Sequence, residues 1–185
     1  GGRHPRRVRA ALIRPLTQPT PAMFDAAPLT ATDKPGLYAE LARQIDGLLH
    51  GETHLIANAA NFAALVFHAL PDLNWCGFYL AEGDELVVGP FQGKPACVRI
   101  AFGRGVCGTA AATRQTQLVP DVHAFAGHIA CDSASRSEIV VPLLRADGTL
   151  LGVWDVDSPL PARFDDADRL GMEALCARFL HACGL

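Results

Sequence analysis

The stretch EIVVPLLRADGTLLGVWDVDS, Glu138–Ser158, decides the fold. Two runs of β-formers, EIVVPLL and LLGVWDVDS, flank the turn residues Ala146-Asp147-Gly148 and read as a β-hairpin. The first run is almost unbroken in its apolar character, so its strand is expected to be buried. Along the second, period-two alternation places Leu151, Val153, Asp155 and Asp157 on one face. Glu138 opens the first strand, and the hairpin is expected to bring all three carboxyls to one sheet edge. Like charges gathered there cannot all ionise cheaply, so at least one pKa is expected to rise. A carboxyl that stays protonated near neutral pH can donate a hydrogen bond or a proton. The plainer alternative is that these acids are solvated strand ends.

Working outward, NWCGFYLAE (74–82) and ELVVGP (85–90) read as strands joined by a turn, and ACVRIAF (96–102) as a third strand. GRGVCGTAAATRQ opens a short helix, and QLVPDVHAFAGHIACDSAS supplies a short strand and a long loop. Helical periodicity appears at both ends. PGLYAELARQIDGLLH places Leu37, Leu41, Ile45, Leu48 and Leu49 on one face, THLIANAANFAALVFHAL makes a second helix, and FDDADRLGMEALCARFLHA a last one with Asp165 as N-cap. Helices bracketing a block of hairpin-linked strands predict an α+β architecture with a central, mainly antiparallel sheet.

The 185 residues suffice for one domain that folds without disulfides. No apolar run approaches the roughly 18 residues of a membrane span. Residues 1–22 carry five Arg and no acid, and the remainder holds 11 basic against 19 acidic residues, a net of −8, which disfavours nucleic-acid binding. The basic, Pro-rich head, residues 1–34, is expected to be a disordered tail ahead of a domain at 35–185, with Met23 a candidate start. Six Cys without a secretory signal point to a reducing compartment, the cytoplasm, and to packing or thiol chemistry rather than structural bridges.

The cysteines sort by pattern. Cys176 and Cys183 continue the apolar stripe Met172, Leu175, Phe179 and Leu180, and Cys76 alternates with Phe78 and Leu80, so these three read as core. Trp75 and Tyr79 share the opposite face of that strand. Cys97, at the start of the third strand, Cys107, at a helix N-terminus whose dipole lowers a thiol pKa, and Cys131, in a polar loop, are the candidates for chemistry. GRGVCG matches the dinucleotide-binding glycine pattern, but its flanking strands look hairpin-linked rather than parallel. His123, His128 and Cys131 lack the paired spacing of a zinc site, so no metal is expected.

Together the stretches NWCGFYL, GPFQGKPAC, GRGVCGTAA, HIACD, SEIVVPL and GVWDVDSP, in this order, resemble the free methionine-(R)-sulfoxide reductases, small proteins made of a single GAF domain. The resemblance covers about residues 36–182. It implies Cys131 as nucleophile, Cys97 as the resolving thiol and Cys107 as a third family cysteine. It also implies Trp75 and Tyr79 around the substrate's methyl end, and Glu138, Asp155 and Asp157 as the carboxylates that hold the amino group and polarise the sulfoxide. The backbone N–H groups of Ile129, Ala130 and Cys131 would receive the substrate carboxylate.

The chemistry that follows needs no bound cofactor. A neutral acid, Asp157 or Glu138, protonates the sulfoxide oxygen; Cys131 attacks sulfur; the resulting sulfenic acid condenses with Cys97; and an external dithiol, thioredoxin, restores the pair. Asp155 is the expected partner of the α-ammonium. The resemblance also implies a homodimer. The rival expectation is a GAF module that senses a small molecule without catalysis.

Overall fold

The computed structural model describes residues 24–127 and 133–185. Two helices, α1 (Lys34–Leu48) and α2 (Leu55–Ala69), precede the strands β1 (Trp75–Glu82), β2 (Glu85–Gly93) and β3 (Arg99–Ala101). A short helix, α3 (Gly105–Thr113), leads into β4 (Gln117–Val119) and a 3-10 turn at Val122–Ala124; the hairpin β5 (Ser137–Leu144) and β6 (Leu150–Ser158) follows, then α4 (Asp166–Ala182). The six strands form one sheet in the order β3-β2-β1-β6-β5-β4, every neighbouring pair antiparallel. The expected α+β class is borne out.

Alternation along β1 divides the interior in two. Cys76 and Phe78 face α1, α2 and α4, whereas Trp75 and Tyr79 face α3 and the β2–β3 connection. On the helix side Phe62, Phe78, Trp154 and Phe179 cluster with ring centroids 4.7 to 5.6 Å apart. Such pairs contribute about 0.5–1.5 kcal/mol each beyond area burial. Cys76 and Cys176 are buried in this core, and Cys76 Sγ donates to the Ala63 carbonyl. Cys183 packs at its margin.

The helix ends follow sequence chemistry. Asp165 caps α4 by accepting from Ala167 N and Asp168 N, and Asp168 returns the bond to Asp165 N. Asp168 is 1% exposed and also accepts from Tyr38 Oη at 2.9 Å, from Arg163 and from Lys34, so it anchors the start of α1 to the start of α4. The buried face of α1 is Tyr38, Leu41, Ala42, Ile45 and Leu49; Leu37 and Leu48 stand at its edges rather than its centre. Residues 24–33 carry no helix or strand, yet Thr30 bonds to the Glu40 carboxylate, the Ala27 carbonyl accepts from Gln44, and Leu29 packs on the core. The rest of the expected tail lies outside the described residues.

Two strand expectations need correction. Leu151 does not share a face with Val153 and the acids. Leu143 pairs with Gly152 and Leu144 with Leu150, so Leu151 is an extra residue, a β-bulge, and turns to the helix-side core. Beside it Gly152 crosses β1 so closely that a Cβ there would sit 2.1 Å from the Tyr79 carbonyl oxygen, which excludes any side chain. The third strand begins at Arg99, not Ala96, and Cys97 lies in the loop before it.

Candidate active site

The register of β6 builds the site. Asp157 lies opposite Glu138 of β5 on one side and Trp75 of β1 on the other; Asp155 lies opposite Val140 and Gly77. The alternation that sends Trp154 and Val156 into the helix core sends both aspartates to the other face, with Glu138 beside them. Trp75, Tyr79, Asp155 and Asp157 line a narrow cleft, closed over by Lys94, Pro95 and Ala96 of the β2–β3 loop.

Glu138 and Asp155 are each 6% exposed, and Asp157 is half-buried. Burial, with the charges of Asp155 and Asp157 close by, holds the Glu138 carboxyl well above the ordinary range. Burial raises Asp155 to about 7, although hydrogen bonds from Cys107 and Glu138 favour its anion. The two carboxyls act as one buried pair, each held above the ordinary carboxylate range by burial. Among the described residues, one buried Asp155 oxygen, Oδ1, has no hydrogen-bond partner. A ligand cation or hydrogen-bond donor would satisfy it.

Cys107 corrects an expectation. It does stand in the first turn of α3, but that turn docks against the sheet: Cys107 is 5% exposed and its Sγ lies 3.9 Å from Glu138 Oε1. Burial first, then the charges of Asp155 and Glu138, push its thiol well up rather than down. A helix dipole is worth about 0.3–1 kcal/mol at such a position; taking a thiolate out of water and setting it beside carboxylates costs more. Cys107 is thus a neutral donor within the acid cluster. Cys107, Glu138 and Asp155 place one ligand atom each within 4.8 Å of one another, a sulfur and two oxygens that a soft divalent cation could use.

Cys97 is half-buried in the loop that covers the cleft. Cys131, Ile129, Ala130 and His128 lie outside the described residues. His123 is exposed in the 3-10 turn. The glycine-rich GRGVCG opens α3 against β3, whose pairing with β2 is antiparallel, so it forms no parallel dinucleotide-binding unit. The sequence reading missed Lys94 as a cleft residue; a lone basic residue between Gly93 and Pro95, beside a candidate cysteine, was the available signal. It also missed Asn74, whose Nδ2 donates to Ser135 Oγ at 3.0 Å and so ties the start of β1 to the segment entering β5.

The site has a clear set of relatives. A GAF domain profile matches residues 54–182. The free methionine-R-sulfoxide reductase of Escherichia coli (strain K12) is 53% identical over 146 residues, covering 79% of this chain and 88% of that protein. The chain belongs to the free methionine-R-sulfoxide reductase family. The Saccharomyces cerevisiae free methionine-R-sulfoxide reductase is 43% identical, with 82% of this chain and 88% of that one covered. The structure of the Neisseria meningitidis free methionine-R-sulfoxide reductase, solved in complex with its substrate, superposes with a TM-score of 0.81 at 47% identity, covering 86% of this chain and 95% of that chain. Among the described residues, the acid cluster, the aromatic cleft and Cys97 lie together on the face opposite α1, α2 and α4.

Proposed function

We propose that the chain reduces free L-methionine (R)-sulfoxide to L-methionine through Cys131, with Cys97 as the resolving thiol and a thioredoxin-type dithiol as the final reductant. The observation that carries the reading is the buried Glu138–Asp155 pair, whose Asp155 lines the cleft beside Trp75 and Tyr79.

A sulfoxide sulfur accepts a nucleophile only as its oxygen gains a proton or a strong hydrogen bond. Glu138, kept neutral by burial and its acidic neighbours, is the donor. The Cys131 thiolate attacks sulfur, the S–O bond breaks, and the oxygen passes to Cys131 as a sulfenic acid. The substrate sulfur gains the two electrons that the thiolate sulfur loses. Condensation with Cys97 releases water and forms a disulfide, which an external dithiol reduces. Cys107 donates a hydrogen bond to the acids and is not the nucleophile.

Asp155, ionised and facing the cleft with one unpartnered oxygen, pairs with the substrate's α-ammonium, and Asp157 at the cleft shares that charge. Methionine sulfoxide within a peptide lacks that ammonium and would leave Asp155 buried and unpaired, which penalises it by orders of magnitude. The backbone of residues 129–131 is the proposed seat of the substrate carboxylate. The reaction needs no prosthetic group. We assign the protein to the cytoplasm on its cysteine usage, and to a homodimer on the family resemblance.

Coupled oxidation of NADPH through thioredoxin reductase and thioredoxin, with free methionine (R)-sulfoxide as substrate, tests the proposal. Steady oxidation that requires Cys131 supports it. Ligand binding without oxidation would favour the sensing module instead.

A further inference from the structure

The polar tips of the two cleft aromatics bond to the loop that covers the cleft. Trp75 Nε1 donates to the Lys94 carbonyl at 3.1 Å, and Tyr79 Oη donates to the Cys97 carbonyl at 3.1 Å. Both residues belong to β1, in the middle of the sheet, and are 4% and 1% exposed. The Trp75 ring is stacked against Tyr79 at 5.8 Å and 30° and against Phe91 of β2 at 5.4 Å and 18°, so neither ring can turn away easily. At the exit of β2, Gly93 adopts φ 121° and lies so near Trp75 that a Cβ would meet its Cδ1 at 2.7 Å. The loop that carries Cys97 therefore leaves the sheet against Trp75 and is fastened to β1 at its first residue and at its cysteine.

We propose that Trp75 and Tyr79 are positioning residues for the resolving thiol: their hydrogen bonds hold the Lys94–Cys97 loop so that Cys97 meets the Cys131 sulfenic acid. The proposal rests on the catalytic reading above. In the step concerned, the Cys97 sulfur attacks the sulfenic sulfur and the S–S bond forms. The S–OH bond breaks and the hydroxyl leaves as water with the thiol proton. The sulfenic sulfur is reduced and the thiol sulfur oxidised. An intramolecular thiol owes its advantage to orientation, which a loosened loop forfeits.

Rapid-quench experiments on the full chain separate the two steps. Methionine release reports the first, and disulfide formation, with dimedone capture of any surviving sulfenic acid, reports the second. Tyr79→Phe keeps the ring and removes the donor. It is expected to slow disulfide formation about fivefold more than methionine release, the factor that corresponds to one net hydrogen bond, with dimedone adduct rising to match. Trp75→Phe should show the same split, and combining the two should widen it. Equal slowing of both steps, as a general structural or substrate-binding defect would give, overturns the positioning role, as does an unchanged disulfide rate. Cys97→Ser is run beside them. If a disulfide to Cys131 still forms there, the resolving assignment itself has failed, and that failure is distinct from a Tyr79→Phe result in which Cys97 resolves at the normal rate.

Discussion

Asp155→Asn tests the electrostatics of the site most directly, because it changes one atom type in a buried residue and has readouts in both stability and binding. The free Asp carboxyl titrates near 3.8, and in the fold it titrates at about 7. A folded pKa raised above the unfolded one means that the native state holds the proton more tightly, so stability falls as pH rises above the unfolded value and levels off beyond the folded one. At 1.36 kcal/mol per pH unit the fully developed loss is about 4 kcal/mol, of which about 3 kcal/mol accrues between pH 5 and pH 8. Urea unfolding of the wild type at pH 5, 6, 7 and 8 should therefore show stability declining along this limb. Asp155→Asn should flatten most of it, leaving the share due to Glu138. Binding should go the other way: methionine, whose ammonium needs the Asp155 anion, should bind the wild type more tightly as pH rises through about 7, and the Asn variant weakly at every pH. A variant with the wild-type pH slope would show that Asp155 does not hold the proton, and unchanged methionine affinity would remove it from the ammonium site.

Cys131→Ser should yield no methionine even in a single turnover, whereas Cys97→Ser should yield one methionine per site and then stop; peptide mapping of the oxidised wild type should find Cys97 joined to Cys131, and a Cys107–Cys131 link would reassign the resolving role. Glu138→Gln should cut the first-turnover rate by a factor on the order of 10²–10⁴ with a much smaller effect on substrate affinity; a rate close to wild type would place the acid elsewhere, with Asp157 the next residue to test. Cys176→Ala should cost about 1–2 kcal/mol of unfolding free energy and leave turnover intact, since its thiol packs in the helix-side core; loss of activity in a folded Cys176→Ala protein would contradict the division of the cysteines by face.

How far the sequence could be read depended on which physical rule was acting. Period-two alternation placed Cys76 and Phe78 on one face of β1 and Trp75 and Tyr79 on the other because an unbroken strand leaves no choice. The same rule failed at Leu151, where the bulge adds a residue that no local composition announces. The hairpin brought Glu138 opposite Asp157 as expected, since a defined turn fixes the register. Cys107 was misjudged because a helix start is visible in sequence and the docking of that helix on a sheet is not; burial depends on residues thirty or more positions away. Cys97 was placed one element too late for a related reason: ACVRIAF has strand-like residues, but its bonds to β2 begin only at Val98, and the residues before it are drawn instead onto the aromatic side chains of β1.

The chain has two tryptophans, and the sheet puts one on each of its faces. Trp154 is fully enclosed among Phe62 and Phe78, away from the cleft; Trp75 forms the cleft wall beside Asp155 and Asp157. Intrinsic fluorescence therefore has two separate origins in this protein. Occupation of the cleft, or a change in its charge, alters the surroundings of Trp75 and leaves those of Trp154 as they were, whereas global unfolding exposes both. A Trp154→Phe protein would report ligand occupancy through its one remaining indole, and a Trp75→Phe protein would follow unfolding of the helix-side core, with no attached dye in either case.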